Sequence, residues 1–192
     1  LGSVAGVYAR GIEWDMPLSN PAFWPIYEEA ARLDLPVTVH TGNGASPSIS
    51  TMLEGYTRKT GPGYFPHVSN WGHGLVSDTY VHYAFMQLLD SSLLSDFPTL
   101  KLAFLETGTD WVVRSVKQLR SRLGTQIDDW LSSRVFVACS VDDDLPYTID
   151  KLGCDFLVCA TDFPHGDTFR EDLLLQRLEQ RGDLSDQTIE KI

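Results

Sequence analysis

The sequence predicts an α/β fold in which parallel strands alternate with helices. The candidate strands are continuous apolar runs and not alternating apolar and polar residues, which is typical of strands covered on both faces. Each run is followed by a segment with helical periodicity, as in successive β/α units. A doubly wound sheet and a closed barrel both satisfy this pattern. The predicted strands are 4–8, 37–39, 100–105, 135–138 and 156–160.

The helices of these units are predicted from caps and apolar faces. Asn20 is the N-cap of the first helix, because Pro21 follows at the first helical position. A later helix is expected to begin at Asp78 or Thr79 and to bury one apolar face. The residues of that face are Val81, Ala84, Phe85, Leu88 and Leu89. Further helices are expected from Asp110 to 123, from Asp144 to Leu152 with Gly153 as the C-cap, over 170–180 and from 185 onward.

A long segment, residues 41–77, separates the second strand from the helix that follows it. It is rich in Gly, Pro, Ser and Asn. Connections in compact domains are usually about 4 to 6 residues long, and structureless ones beyond about 15 are usually binding loops or lids. We interpret this segment as a long active-site loop that includes a short helix around 50–57.

Charge and composition exclude several classes of partner. The chain carries 26 Asp and Glu against 15 Lys and Arg, a net charge of −11, which repels nucleic acid and anionic lipid. No apolar stretch approaches the ~20 residues of a membrane span, and no targeting signal is visible. Cys139, Cys154 and Cys159 are interpreted as buried free thiols of a reducing compartment. We therefore expect a cytoplasmic protein that binds neither nucleic acid nor membranes.

Polar side chains suited to metal or acid–base chemistry follow three of the strands. His40, Glu106 and Asp162 are each the first or second polar group after an apolar run. In parallel β/α folds the carboxyl ends of the strands converge on one rim, where the chemistry gathers. Each residue alone could be structural, as a turn or cap residue. Together, imidazole and carboxylates suit Zn²⁺ or Mn²⁺, and such an ion lowers the pKa of bound water to about 7 or polarises a carbonyl.

Other polar and aromatic residues are weaker candidates. Tyr64, Trp71 and His73 fall in the long loop, where they could contact substrate or be solvated. His165 follows Asp162 by three residues and could bind substrate, support a ligating carboxylate or hold the turn at Pro164. The acidic residues 142–144 follow the fourth strand and could place a carboxylate near the site, but a solvated loop and a helix N-cap are the favoured interpretation. No G-x-S-x-G motif is present, which disfavours a serine nucleophile.

Four segments occur in order along the chain: NPAFWPIY at 20–27, LPVTVHTG at 35–42, FPTLKL at 97–102 and ATDFPH at 160–165. This series resembles the amidohydrolase-2 branch of the metal-dependent amidohydrolase superfamily, the branch of aminocarboxymuconate-semialdehyde decarboxylase and related decarboxylases, hydratases and hydrolases. The resemblance implies a (β/α)₈ TIM barrel of which this chain holds the fourth to eighth strands. Residues 1–192 would then form a single partial TIM-barrel domain.

The resemblance also implies roles for the residues at the strand ends. His40 resembles the metal-ligating histidine that ends the family's fifth strand, and Asp162 the aspartate at the end of the eighth strand, which serves the metal and its water. The family's first-strand pair, H-x-H or E-x-H, has no counterpart here. Because such barrels need roughly 250 residues or more, we expect that pair in an N-terminal segment. Glu106 stands where the decarboxylases carry the histidine of a His-Gly turn, which leaves room for acid–base work by a carboxylate.

The expected function is that of a metal-dependent hydrolase acting on a small carboxylated or cyclic substrate through a metal-activated water. In this reading His40 and Asp162 bind the ion, Glu106 and Asp162 are catalytic, and the long loop closes over the substrate. A metal-dependent non-oxidative decarboxylase is one alternative. A non-catalytic partial barrel serving in binding or assembly is the other, because open strand edges favour association with a second copy or with the missing barrel half. The metal site requires His40 and Asp162 to meet across the rim.

Overall fold

The computed structural model describes residues 4–41, 47, 48, 71–162, 171 and 173–192. The chain forms two compact units, Leu1–Leu100 and Lys101–Ile192. In both units the strands that lie between helices pair in parallel. The predicted α/β class with parallel strands is therefore confirmed in each unit.

The first unit is built around two parallel strands. Its elements are β1 (Val7–Arg10), β2 (Ile12–Glu13), β3 (Met16–Pro17), a 3₁₀ turn (Pro21–Phe23), α1 (Trp24–Arg32), β4 (Val37–His40), α2 (Trp71–Leu89) and α3 (Leu93–Asp96). The short strands β2 and β3 pair with each other in an antiparallel ribbon. Strands β1 and β4 pair in register from Val7 opposite Val37 to Arg10 opposite His40. Both strands therefore end at the same level.

The chain enters α1 as its sequence predicts. The side chain of Asn20 accepts a hydrogen bond from the backbone N–H of Ala22 at 2.9 Å, and Pro21 follows the cap. Tyr27 then anchors the helix, because its buried hydroxyl donates to the carbonyl oxygen of Leu18 at 2.6 Å. Burial raises the pKa of Tyr27, so this hydroxyl keeps its proton as a donor.

Strand β1 lies further along the chain than the sequence predicts. The apolar run begins at residue 4, but the strand covers Val7–Arg10. The ladder begins where the N–H of Val7 donates to the carbonyl oxygen of Pro36 at 2.9 Å. The extent of β1 is therefore determined by its pairing with β4 and not by the apolar run.

Helix α2 begins at Trp71 and not at Asp78 or Thr79, so the last part of the predicted loop is helical. Gly72 and Gly74 favoured a loop in the sequence. A glycine inside a helix costs only about 1 kcal/mol relative to alanine, which the extension of a long helix tolerates. The short helix expected around 50–57 lies outside the described residues.

The apolar face of α2 is confirmed. All five of its predicted residues are fully buried: Val81, Ala84, Phe85, Leu88 and Leu89. The helix also approaches the end of β1 closely, because a Cβ atom placed on Gly11 would lie 2.0 Å from the carbonyl oxygen of Tyr80. Neither α2 nor any other helix in the described part of the chain is long and apolar enough to cross a membrane.

The second unit contains three strands in parallel register. Its elements are β5 (Leu102–Phe104), α4 (Val112–Leu123), α5 (Gln126–Leu131), β6 (Val135–Cys139), α6 (Leu145–Leu152), β7 (Leu157–Cys159), α7 (Leu174–Gln180) and α8 (Asp186–Lys191). Strand β6 pairs with both β5 and β7. Strands β5 and β7 are shorter than the apolar runs that predict them. Only three residues of each run pair with β6.

Helix ends in this unit follow the sequence in one case and depart from it in another. Asp144 caps α6 by accepting from the N–H of Tyr147 at 3.1 Å, and Gly153 ends that helix at φ +78°. The predicted cap of α4 is wrong, because that helix begins without a side-chain cap after Trp111. Asp110 instead accepts from the backbone N–H of Asp144 at 3.4 Å. A cap needs a particular turn geometry, which the residue type alone does not ensure.

The three cysteines are free, but only one is buried. Cys139 is buried, Cys154 is half-buried and Cys159 is exposed. Burial raises the pKa of the Cys139 thiol to about 12, so it is inert at neutral pH. The expected burial of Cys159 is wrong, because this residue ends a strand of only three residues.

Candidate active site

His40 ends strand β4 on the face opposite the buried valines. Val37 and Val39 are fully buried, whereas His40 is half-buried. Its Nδ1 atom lies 3.2 Å from the carbonyl oxygen of Thr41. A carbonyl only accepts hydrogen bonds, so this contact is a hydrogen bond when Nδ1 carries the proton, and Nε2 then keeps its lone pair. The hydroxyl of Thr41, 3.3 Å from the same nitrogen, is compatible with this tautomer because it can accept as well as donate.

This tautomer is the one that suits a metal ligand. A ligating histidine usually donates its second ring N–H to a carbonyl or carboxylate, which fixes the ring and directs the other nitrogen at the ion. The hydrogen bond from His40 to the carbonyl of Thr41 is of this kind. The chemistry of His40 therefore fits a divalent metal ion.

Two residues that no sequence pattern singled out lie beside His40. Tyr8 and Arg10 alternate along β1 and are the register partners of Thr38 and His40. The ring of Tyr8 is 5.3 Å from the ring of His40, and the guanidinium carbon of Arg10 is 5.8 Å from the centre of the Tyr8 ring. The carboxyl end of this strand pair thus presents an imidazole, an aromatic ring and a cation. Only the strand register reveals this group, since the apolar run in the sequence ends at residue 8.

Glu106 and Asp162 belong to the second unit, where they follow β5 and β7. Both adopt left-handed backbone conformations, with φ values of +59° and +52°. Such conformations are uncommon for residues other than glycine and cluster at active sites, although turns also use them. The other described residues of this kind, Trp14, Asp15 and Asp34, lie in turns of the first unit. Glu106 and Asp162 therefore share an uncommon backbone conformation at the ends of their strands.

The acidic residues 142–144 divide into three different environments. Asp144 caps α6, as expected, and Asp142 is exposed and pairs with Arg177 at 2.9 Å. Asp143 departs from the expected solvated loop, because it is half-buried and its Oδ2 atom accepts three hydrogen bonds. The donors are the backbone N–H of Thr109 at 2.9 Å, the hydroxyl of Thr109 at 3.0 Å and the backbone N–H of Ser140 at 2.8 Å.

Asp143 therefore links the segments that follow β5 and β6. Burial raises the pKa of its carboxyl, against the opposing effect of these hydrogen bonds. Arg181 supports the same loop by donating to the carbonyl oxygens of Val141 and Asp143 at 2.5 and 2.8 Å. The segment after β5, which carries Glu106, is thus hydrogen-bonded to the loop that follows β6.

We expect the substitution Gly108→Ala to disturb this turn. Gly108 has a φ of +59°, and a Cβ atom there would lie 2.6 Å from Oδ1 of Asp143. Gly182 is a suitable control, because its φ is +71° and no atom lies within 4 Å of the corresponding position. Gly108→Ala should lower the free energy of unfolding by about 1–2 kcal/mol more than Gly182→Ala, measured by urea denaturation. Equal losses would show that the contact with Asp143 does not restrict the turn.

The remaining predicted site residues are placed only in part. Trp71 and His73 lie in the first turn of α2 and not in a loop. Tyr64 and His165 lie outside the described residues. Within the described ranges, no group of three or more His, Cys, Asp or Glu side chains is arranged to hold a metal ion. The substrate contacts expected of these four residues stay predictions.

Comparison with known proteins identifies the family. The amidohydrolase family model matches residues 3–192. Among curated proteins, a 2-keto-4-carboxy-3-hexenedioate hydratase from Sphingobium sp. is 33% identical over 85 residues, which are 44% of this chain and 19% of the hydratase.

Solved structures show the fold. An amidohydrolase from Mycobacterium avium subsp. paratuberculosis has a TM-score of 0.74 at 20% identity, over 99% of this chain and 49% of that one. A 5-carboxyvanillate decarboxylase from Novosphingobium aromaticivorans, complexed with manganese and 4-hydroxy-3-methoxy-5-nitrobenzoic acid, has a TM-score of 0.61 at 18% identity, over 97% and 52%.

The chain thus spans about half the length of these solved structures. Their likeness confirms the predicted fold class, an α/β fold that is part of a (β/α)₈ barrel. The family match covers nearly every residue of the sequence. The chain belongs to the amidohydrolase-2 family of the amidohydrolase superfamily.

Proposed function

We propose that this protein is a divalent-metal-dependent enzyme that uses activated water on a small carboxylated substrate. The observation that carries the proposal is the contact of His40 Nδ1 with the carbonyl oxygen of Thr41 at 3.2 Å, an arrangement in which a protonated Nδ1 leaves the lone pair of Nε2 to a metal ion. The family supports the metal, since a decarboxylase of the same fold binds manganese. When bound, such an ion supplies Lewis acidity and lowers the pKa of water.

The other roles rest on the resemblance of the sequence to the family. We propose that His40 and Asp162 are metal ligands and that Asp162 also takes up a proton from water. Glu106 carries a proton to or from the substrate, because a carboxylate can alternate between its acid and base forms. Tyr64, Trp71, His73 and His165 are proposed substrate contacts. Association with a second copy, or with the rest of the barrel, is proposed to cover the strand edges.

Hydrolysis or hydration is the favoured reaction. The hydratase relative acts, by its name, on a substrate that carries carboxyl groups, and both reactions add water to an electrophilic carbon. Decarboxylation is the second candidate, because the 5-carboxyvanillate decarboxylase shares the fold. Glu106 disfavours it, since an ionised carboxylate repels a substrate carboxylate placed next to it. The proposed substrate is therefore an acid whose carboxyl group is retained.

Metal analysis of the full-length protein tests the proposal. We expect about one equivalent of zinc or manganese in the wild type and a several-fold lower content in His40→Ala, because a lost ligand weakens binding strongly. His82→Gln is the matched control, since His82 lies in α2 of the same unit and is not a proposed site residue. It should keep the wild-type content. Unchanged metal content in His40→Ala would refute the assignment, and a metal-free wild type would favour the non-catalytic partial barrel.

A further inference from the structure

We propose that Arg10 binds a carboxylate group of the substrate beside His40. This inference rests on the proposed function, which supplies a carboxylated substrate, and it names the residue that recognises the carboxylate. Arg10 and His40 are the last residues of two adjacent parallel strands and are register partners. Adjacent strands lie about 4.7–4.9 Å apart, so a ligand of a few carbon atoms can reach both side chains.

The two side chains lie on the same face of the strand pair. Val37 and Val39 are buried on one face of β4, which leaves His40 on the other. Register partners in a parallel ladder point to the same side, so Arg10 shares the face of His40. Tyr8 lies on that face as well, two residues before Arg10, and its ring contacts both neighbours.

The guanidinium of Arg10 has no anionic partner among the described residues. The nearby carboxylate of Glu13 accepts instead from the backbone N–H of Arg10 at 2.9 Å. Other arginines of the chain do pair with carboxylates: Arg32, Arg120, Arg177 and Arg181. Arg114 also has no carboxylate partner among the described residues, but it is exposed, whereas Arg10 is half-buried at a strand end. Arg10 is therefore available to an anionic ligand.

The surroundings of Arg10 favour a carboxylate in particular. A guanidinium presents planar paired donors that match the two oxygens of a carboxylate. The cation–π contact with Tyr8 restricts the guanidinium without using its N–H donors. Arg10 is also half-buried, which strengthens a charge-assisted hydrogen bond relative to an exposed one. The substrate carboxylate would thus be bound next to the proposed metal ligand.

Calorimetric titration of the metal-loaded full-length protein with malonate tests the inference. Malonamide, the neutral diamide of the same shape, is the matched probe. We expect the wild type to bind malonate in preference to malonamide, and Arg10→Met to weaken malonate binding by about tenfold to a hundredfold. Arg10→Lys keeps the charge but loses the paired donors, so its loss should be smaller. Arg114→Met, an exposed arginine of α4, should bind malonate as the wild type does.

Two controls separate this inference from the proposed function. The metal content of Arg10→Met should equal that of the wild type, because Arg10 is not a proposed ligand. Normal metal content with unchanged malonate affinity in Arg10→Met would overturn the role of Arg10 and leave the metal proposal standing. Equal losses in Arg10→Met and Arg114→Met, or no preference for malonate in the wild type, would also overturn it. If Arg10→Met does not fold, Arg10→Lys takes its place in the test. Malonate binding with wild-type affinity in Arg10→Lys would then overturn the role of Arg10.

Discussion

Gly11→Ala is expected to be more destabilising than any other substitution of a described glycine by alanine in the first unit. Its Cβ would lie 2.0 Å from the carbonyl oxygen and 2.2 Å from the carbonyl carbon of Tyr80. Both are backbone atoms of α2, so no side-chain rotation relieves the contact and the helix must move away from β1. Overpacking of this kind costs typically about 1–3 kcal/mol, and we expect about 3 kcal/mol or more here because the obstruction is backbone.

Urea denaturation monitored by circular dichroism measures this effect. Gly6→Ala is the matched control, since Gly6 also lies near β1 but its nearest atom, the carbonyl oxygen of Pro36, is 3.1 Å from the added Cβ. A displacement of a few tenths of an ångström accommodates that methyl group, so the loss should stay below about 1 kcal/mol. Similar losses in the two variants would contradict the close approach of α2 to β1.

The same substitution has a functional consequence if the variant folds. Gly11 directly follows Arg10, so a helix displaced from Gly11 also shifts the end of β1. The register of Arg10 with His40 depends on that strand end. We therefore expect the folded fraction of Gly11→Ala to bind malonate more weakly than Gly6→Ala does.

Asp143→Ala is expected to destabilise the second unit strongly. The substitution leaves the donors of Thr109 and Ser140 without their acceptor. An unsatisfied buried donor costs about 1–3 kcal/mol, and because this site is only half-buried we expect about 2–3 kcal/mol in total. Asp142→Ala is the control, since Asp142 is 80% exposed and its surface ion pair should contribute about 0–1 kcal/mol. Equal effects of the two substitutions would show that water replaces Asp143 without loss.

Asp143→Asn separates the charge of this residue from its hydrogen bonds. Burial raises the pKa of Asp143 above its ordinary value of 3.8, so the folded state holds the proton more tightly than the unfolded state. The resulting stability is complete below pH 3.8 and is lost as pH rises through the folded pKa. Asparagine does not titrate. The free energy of unfolding of the wild type, relative to that of Asp143→Asn, should therefore fall as pH rises. An increase of this difference with pH would contradict the assigned effect of burial.

Features that depend on local spacing could be predicted from the sequence. Continuous apolar runs predicted buried parallel strands, and helical spacing predicted the buried face of α2. Asn20, Asp144 and Gly153 marked helix limits because capping involves neighbours only a few residues apart. The ordered family segments also predicted the fold and the family that the comparisons confirm. The meeting of His40 with Asp162 across the rim stays a prediction.

The residues that lie side by side across the fold could not be predicted from local spacing. The pairing of β1 with β4 placed Arg10 and Tyr8 beside His40, although the apolar run ended before Arg10. The environment of Asp143 likewise depends on Thr109, which is 34 positions away. Strand register and burial arise from contacts between segments far apart in the chain, and these contacts leave no periodic pattern in either segment. His40 could therefore be predicted as a site residue from local sequence, whereas only the strand pairing places Arg10 next to it.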